Sequence, residues 1–485
     1  MNNKTICSMR FAQALMTLTL ALLTARPALA QHQLWIRQFG TSERDQARAL
    51  MHDGTRGVIV AGYTEGSLGG RNAGGLDAFL ARYDSTGDRI WIRQFGTGVD
   101  ELARALAPDG AGGVILAGYT EGSLAGPNAG GRDVLLARYD GEGNRLWIRQ
   151  FGTSGNEKAT ALAPAGAGGV FVAGYTRGSL GGPNAGDWDA FVARYDGEGN
   201  RLWISQFGTS REDFAIAVAP DGSGGVFVAG STRGILGDPS QRCTDVFLAR
   251  YDGAGKRIWI RQFGTSDCEE ANALAPDGAG GVMVAGWTGG SLGGLSAGSG
   301  DAFLARYDSA GNRLWIRQFG TSVYDRADAL APDGAGGVII TGRTSGSLGG
   351  PNVGSSDGFL ARFNSKGDRL WVRQFGTSAW DQARALAPDG AGGVMVAGYT
   401  TGSLGGPNAG DYDVFLARYE IDSCYPDCDR STGNGVLDIF DFLCFQNSFV
   451  IGDPFACDCD TSTGPGVCDL SDFLCFQKAF MAGCP

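Results

Sequence analysis

The phrase LWIRQFGT, with close variants, recurs seven times, and its tryptophans stand at Trp35, Trp91, Trp147, Trp203, Trp259, Trp315 and Trp371. Each interval, Trp35 to Trp91 and onward, is 56 residues with no insertion. A fixed period of this size means an array, a solenoid or a propeller. The second copy contains four strand-like runs: ARALAPD, then VILAGYT after a GAGG turn, then DVLLARYD after a longer loop, then RLWIRQFGT after GEGN. Short runs with partial alternation, divided by Gly, Asp and Asn turns, suit antiparallel hairpins. Four such strands make one propeller blade, and seven copies make a ring. A β-helix is the rival, but its coils are shorter and do not need two tight hairpins per unit.

The phase of the array supports closure. It opens on QLWIRQFGT, a fourth strand with no preceding three, and ends on DVFLARYE at Asp413 to Glu420, a third strand lacking its fourth. Pairing Leu34–Gly40 beside Asp413–Tyr419 completes blade seven from two distant segments and removes open sheet edges. The expected fold is therefore an all-β, seven-bladed β-propeller over residues 31–420, closed by the N-terminal strand. Its units resemble the bacterial β-propeller repeat family, whose members share the pattern D…A…GGVxVAGYT…G…DAFLARYD…G…LW. That resemblance covers about residues 33–420 and implies the fold, with little about activity. The DSTGDRIW turn is also similar to the tryptophan-docking motif of quinoprotein propellers, here read as blade packing.

Positions fixed in every copy are those the blade itself needs. Asp77, Asp133, Asp189, Asp245, Asp301, Asp357 and Asp413 open the third strand, and an acid (Asp45, Glu101, Glu157, Asp213, Glu269, Asp325 or Asp381) precedes the first. Paired carboxylates can do acid–base chemistry, but a sevenfold requirement fits capping of turn N–H groups better. Variation concentrates just before those acids, on loops expected to emerge on one face. Trp188, Tyr324, Trp380 and Tyr412 are the aromatic residues there, and exposed rings on loops stack on sugars or anchor protein partners. Neutral drift at solvent-facing sites explains the same variation. Cys243 and Cys268, each unique to one copy, fall at the same blade boundary, which predicts a disulfide.

The chain begins with Lys4 and Arg10, an apolar run FAQALMTLTLALL and ALA ending at Ala30, the pattern of a cleaved secretory signal over residues 1–30. No later apolar stretch is long enough to span a membrane. The protein is therefore expected to be secreted or held at the cell surface, where disulfides persist. Of 11 cysteines, eight follow residue 420. The net charge of −11 is concentrated in the same tail. No basic stripe marks a nucleic-acid surface.

Residues 421–485 hold two copies of one acidic design at an offset of 31, as in Asp427 and Asp458. Alternating acids and a glycine feeding a helix are the grammar of an EF-hand loop, since calcium needs six to eight oxygens. The candidate ligands are Asp427, Asp429, Ser431, Asn434, Asp438 and Asp441 in the first copy, and Asp458, Asp460, Ser462, Asp469 and Asp472 in the second. The region resembles a dockerin, here α-helical, small and cysteine-rich. It departs from that pattern in the longer STG loop, and Pro465 stands where the first copy has Asn434. The resemblance implies up to two calcium ions and a cohesin-like or cell-surface protein as partner. A disulfide-stapled acidic domain without metal is the alternative.

The two histidines, His32 and His52, leave no basis for a His-rich metal site or a Ser–His triad. The reading that emerges is a non-catalytic interaction protein. Its propeller binds a glycan or a protein through one loop face, and its tail binds calcium and a partner. The alternative is a polysaccharide hydrolase or lyase using ring carboxylates.

Overall fold

The computed structural model describes residues 33–237 and 243–421. The expected leader, the calcium ligands from Asp427 to Asp472 and the cysteine-rich tail lie outside the described residues.

Seven four-stranded antiparallel sheets follow one another along the chain, with no helix among the described residues. After β1 (Gln33–Phe39), blade one consists of β2 (Asp45–His52), β3 (Val58–Thr64), β4 (Asp77–Tyr83) and β5 (Arg89–Phe95), paired in that order. Blade seven contains three strands from its own repeat and takes β1 as its fourth. The register there runs from Trp35↔Arg418 to Phe39↔Val414. The ring is thus closed by the join expected from the repeat phase.

First strands of successive blades are neighbours around the axis, so they form the inner wall. The middle two strands of each blade are buried on both faces, as their continuous apolar runs require. The core is a set of layers between blades. One contains Val58, Val60, Phe79 and Ala81 of blade one against Ala385, Met395, Ala397 and Leu416 of blade seven. Small alanines on the inner strands and large rings further out suit the wedge between sheets that diverge from an axis.

The recurring tryptophan fastens each blade to the next. The Trp91 indole N–H donates to Gly141 O at 3.0 Å, and Trp147 repeats the contact with Gly197 at 2.9 Å. Gly143, with φ of +77°, lies under the Trp91 ring, where a Cβ would come within 2.9 Å of it. Glycine is required there for two reasons, the positive φ and the close approach. The turn does serve blade packing.

Blade three breaks one rule of the array. In blade two, Asp109 accepts from the Ala111 and Gly113 amides and pairs with Arg138. Blade three has Ala165 at this place; Arg194 turns to the Ala165 carbonyl instead, and Ala167 adopts a φ of +46°. Without the carboxylate cap the turn settles in a form that strains a non-glycine residue. Ala165→Asp is expected to stabilise the propeller by about 1–2 kcal/mol. In blade four, burial pushes the Asp221 carboxyl up, but its bonds to Ser223, Arg250 and Gly225 outweigh this and leave it lowered. A carboxyl lowered on folding stabilises above the ordinary Asp range, and that contribution fades as pH falls through the folded value. The gain from Ala165→Asp should therefore be present at pH 7 and shrink on acidification, as denaturant titrations at several pH values would record.

Candidate functional site

In a ring of near-identical blades, a site must lie where the blades differ. The first strands supply such a place. In β2 the pairing passes from Ala47↔Gly62 directly to Ala49↔Ala61, leaving Arg48 without a partner across the ladder. All seven first strands share this bulge, a device that re-aims a side chain and increases local twist. The residue skipped is Arg48, Arg104, Thr160, Ile216, Asn272, Asp328 and Arg384 in blades one to seven. All seven line one cavity of about 300 Å³ around the axis.

The lining is not uniform. Arg384, Arg48 and Arg104 come from three successive blades and form an arc of guanidinium groups. Blade four, across the ring, contributes Phe214 and Ile216. Between them the charges are already matched. Arg326 donates to Asp328 at 2.9 Å, to Glu270 at 3.3 Å and to Asn272 at 2.8 Å. Asp328 also accepts from Arg384 at 3.1 Å, and Trp287 donates to Glu270 at 2.9 Å. Lys158 lies over the Tyr119 and Tyr175 rings at 5.3 and 5.7 Å, and burial is the main reason its ammonium is lowered to about 8.

The rim above this channel holds the residues singled out from loop variation. Backbone N–H groups of Asp45, Glu101 and Asp213 donate to Tyr412, Leu76 and Trp188 of the preceding blade. Short parallel bridges join Arg44 to Tyr412, Trp188 to Glu212, Gly300 to Tyr324 and Ser356 to Trp380. The two variable positions thus meet at each of these boundaries on one face. Trp188 packs edge-on against Tyr175 at 5.0 Å, Tyr324 lies 5.6 Å from Trp287, and Tyr412 lies 5.3 Å from Tyr399. Trp188 and Tyr412 thus pack against a ring on the neighbouring second strand of their own blade, and Tyr324, on the connection into blade six, against one on the second strand of blade five. Trp380, 45% accessible, is the most open of the four. At the blade four–five boundary Cys243 and Cys268 are joined as a disulfide, with Cα atoms 5.0 Å apart.

The sevenfold carboxylates are structural. Asp77 accepts from Ala73 N at 2.9 Å and from Gln94, and Glu101 accepts from both the amide and hydroxyl of Thr97. Both acids are fully buried. A Cβ on Gly96, between them, would meet both carboxylates. In blade one the burial of Asp45 raises its carboxyl, its threonine partners oppose this, and the facing Asp413 adds to it.

The channel residues are hard to see in the sequence, because a single variable position inside a strand carries no loop or turn signature. A signal was present: the bulged residue is the one that varies between two alanines, from ARA to ATA, AIA, ANA and ADA.

No family model matches the chain. The regulatory protein FlaEY of Caulobacter vibrioides is 27% identical over 250 residues, which is 48% of this chain and 26% of the relative. An uncharacterized WD repeat-containing protein, L264, of Acanthamoeba polyphaga mimivirus is 22% identical over 251 residues, 38% of this chain and 18% of the relative. The chain therefore spans about a quarter or less of the length of these relatives. Among solved structures, the Neurospora crassa Pan2 WD40 domain superposes with a TM-score of 0.44 at 10% identity, covering 80% of this chain and 95% of that domain. What stands is a closed seven-bladed β-propeller, seven four-stranded antiparallel sheets with the N-terminal strand completing the last.

Proposed function

We propose that the chain is a secreted or surface-held, non-catalytic interaction protein whose propeller engages a glycan or protein partner through the rim that bears Trp188, Tyr324, Trp380 and Tyr412. The observation behind this reading is that copy-to-copy variation among the loops gathers in pairs on one face, above the channel mouth, at the boundaries between blades. Exposed Trp380 is the natural anchor, since truncating a tryptophan at the centre of a contact costs about 2 kcal/mol or more. The tail enters the proposal through its dockerin likeness, as a calcium-binding module joined to a cohesin-type or surface protein.

The hydrolase alternative needs accessible carboxylates, and the ring acids at the blade boundaries are buried and engaged as caps. A glycan array combined with a hydrolysis screen tests the propeller. Trp380→Ala should weaken the retained signal at least tenfold with no turnover in either protein. Turnover that disappears on changing a ring carboxylate would reverse the assignment. For the tail, calorimetry should register calcium uptake; no uptake, with stability unchanged in chelator, would remove the metal.

A further inference from the structure

The channel beneath the rim carries more positive charge than the carboxylates on its wall can pair. At the seven bulged positions and those two residues before them, Arg48, Arg104, Lys158, Arg326 and Arg384 stand against Glu270 and Asp328. Five cations against two anions leave a surplus of three on the inner wall of a chain whose net charge is −11. The pairing is uneven as well as incomplete. Arg326 consumes both acids, and Arg384 shares one of them. Arg48 reaches the amide oxygen of Gln46, at 2.9 Å, and the Tyr63 side chain, but no carboxylate. Arg104 has no hydrogen bond or ion pair among the described residues. The Nε atoms of Arg48, Arg104 and Arg384 are buried without an acceptor. Leaving such donors unmatched is costly. Evolution of a scaffold alone has a cheaper choice at this very position, because blades three and four place Thr160 and Ile216 there.

The arrangement has a direction. In a seven-bladed ring, blade four faces the gap between blades seven and one. The arginine arc therefore looks across the cavity at Phe214 and Ile216. One side of a space of about 300 Å³ offers bidentate donors for a planar anion, and the other offers an aromatic ring and a branched alkyl group. That volume is at the small end of ligand cavities.

We propose that the channel is a binding site for a small amphipathic carboxylate, its anionic end on Arg104, Arg48 and Arg384 and its aryl or alkyl body against Phe214 and Ile216. The site reaches the rim at Thr244 but uses none of Trp188, Tyr324, Trp380 and Tyr412, so it stands whether or not those rings bind a partner. Tyr63 and Tyr119 border the arc, with Arg48 lying over the Tyr63 ring at 5.5 Å, and hold the guanidinium stems in place. Burial lowers the Arg48 guanidinium, and the neighbouring Arg384 and Arg104 lower it further, a penalty that a bound anion would relieve.

Titration calorimetry on the full chain with 3-phenylpropanoate, its neutral amide and inorganic sulfate tests the proposal. The acid should bind at least tenfold more tightly than the amide and than sulfate, with affinity falling as sodium chloride is raised. Arg104→Met should weaken the acid at least tenfold, and Phe214→Ala several-fold while leaving sulfate unchanged. Should Arg104→Met fail to fold, Arg48→Met, at the next arginine of the same cavity wall, supplies a second variant and should likewise weaken the acid at least tenfold. Equal affinity for acid and amide, sulfate binding as tightly as the acid, or an Arg104→Met protein that binds normally would each overturn the assignment. So would the absence of binding by all three compounds.

Discussion

A chain lacking Gln33–Phe39 is expected to lose cooperative unfolding and to self-associate. This strand is the fourth of blade seven by hydrogen bonding, yet its side chains fasten blade one. Phe39 lies 5.4 Å from the Tyr83 ring and 6.5 Å from Phe79, and the Trp35 indole donates to Ser85 O at 2.9 Å. Gln38 binds Asp413 and the Gly402 carbonyl through its amide nitrogen, and accepts from the Leu404 and Gly405 amides. Removing the strand strips these contacts from two blades at once and bares the edge of Asp413–Glu420. Loss of Trp35 and Phe39 alone is worth roughly 3 kcal/mol each for partly buried rings. The two together, about 6 kcal/mol, reach the lower end of the total stability of an ordinary domain, about 5–15 kcal/mol. The exposed edge then offers a template for pairing between molecules. Urea titration by tryptophan fluorescence, with sedimentation to follow association, checks both expectations. A truncated chain that unfolds in one sharp transition as a monomer would contradict the closure. Trp35→Ala in the full chain should give a milder version, with lower stability and retained monomeric behaviour.

Gly118→Ala should be among the most damaging single methyls in the protein. A Cβ at Gly118 would stand 1.8 Å from the Leu102 carbonyl oxygen and 2.8 Å from its carbon. Both are backbone atoms, so no side chain can turn aside. The glycine faces the bulge that presents Arg104 to the channel, where pairing passes from Ala103↔Gly118 to Ala105↔Ala117. The same approach recurs at Gly62 and Gly398, at 1.9 and 1.8 Å. Its φ is not positive, so the requirement is space and not backbone handedness. The expected loss is about 4 kcal/mol or more, in the range reserved for severe core overpacking. Because the blade must open at its inner strand to admit the methyl, the channel arginines should shift with it. Gly118→Ala is therefore expected to weaken 3-phenylpropanoate binding under conditions where the protein remains folded. Gly98→Ala, at a glycine with nothing within 4 Å of an added Cβ, is the matched control and should change stability little.

Much of the architecture could be read directly from the residues. A constant spacing from Trp35 to Trp371, the Gly-rich hairpins and the phase of the two end strands led to a closed seven-bladed ring, and the structure has it. The Cys243–Cys268 link was legible for the same reason, since a strict repeat assigns every residue to a blade and a face. Sevenfold acids read as caps because a blade uses them once each; Asp77 and Glu101 are capping groups with buried carboxylates. The ring contacts of Trp188, Tyr324 and Tyr412 were not legible. Tyr175 and Tyr399 come beside Trp188 and Tyr412 only when the second strand pairs within the blade, and Trp287 comes beside Tyr324 only when blades five and six meet.

Local chemistry determined the strands, the turns and the number of blades, because hairpin propensity and strand alternation act over a few residues and the repeat copies them faithfully. The channel was decided by tertiary structure. Arg384, Arg48 and Arg104 are 56 residues or more apart and become neighbours only when the ring closes. Whether a side chain on an alternating strand faces the axis or the next blade depends on which strand lies innermost and on where its ladder skips a residue. Those are properties of the closed ring, and they turn three arginines scattered through the sequence into one positively charged wall.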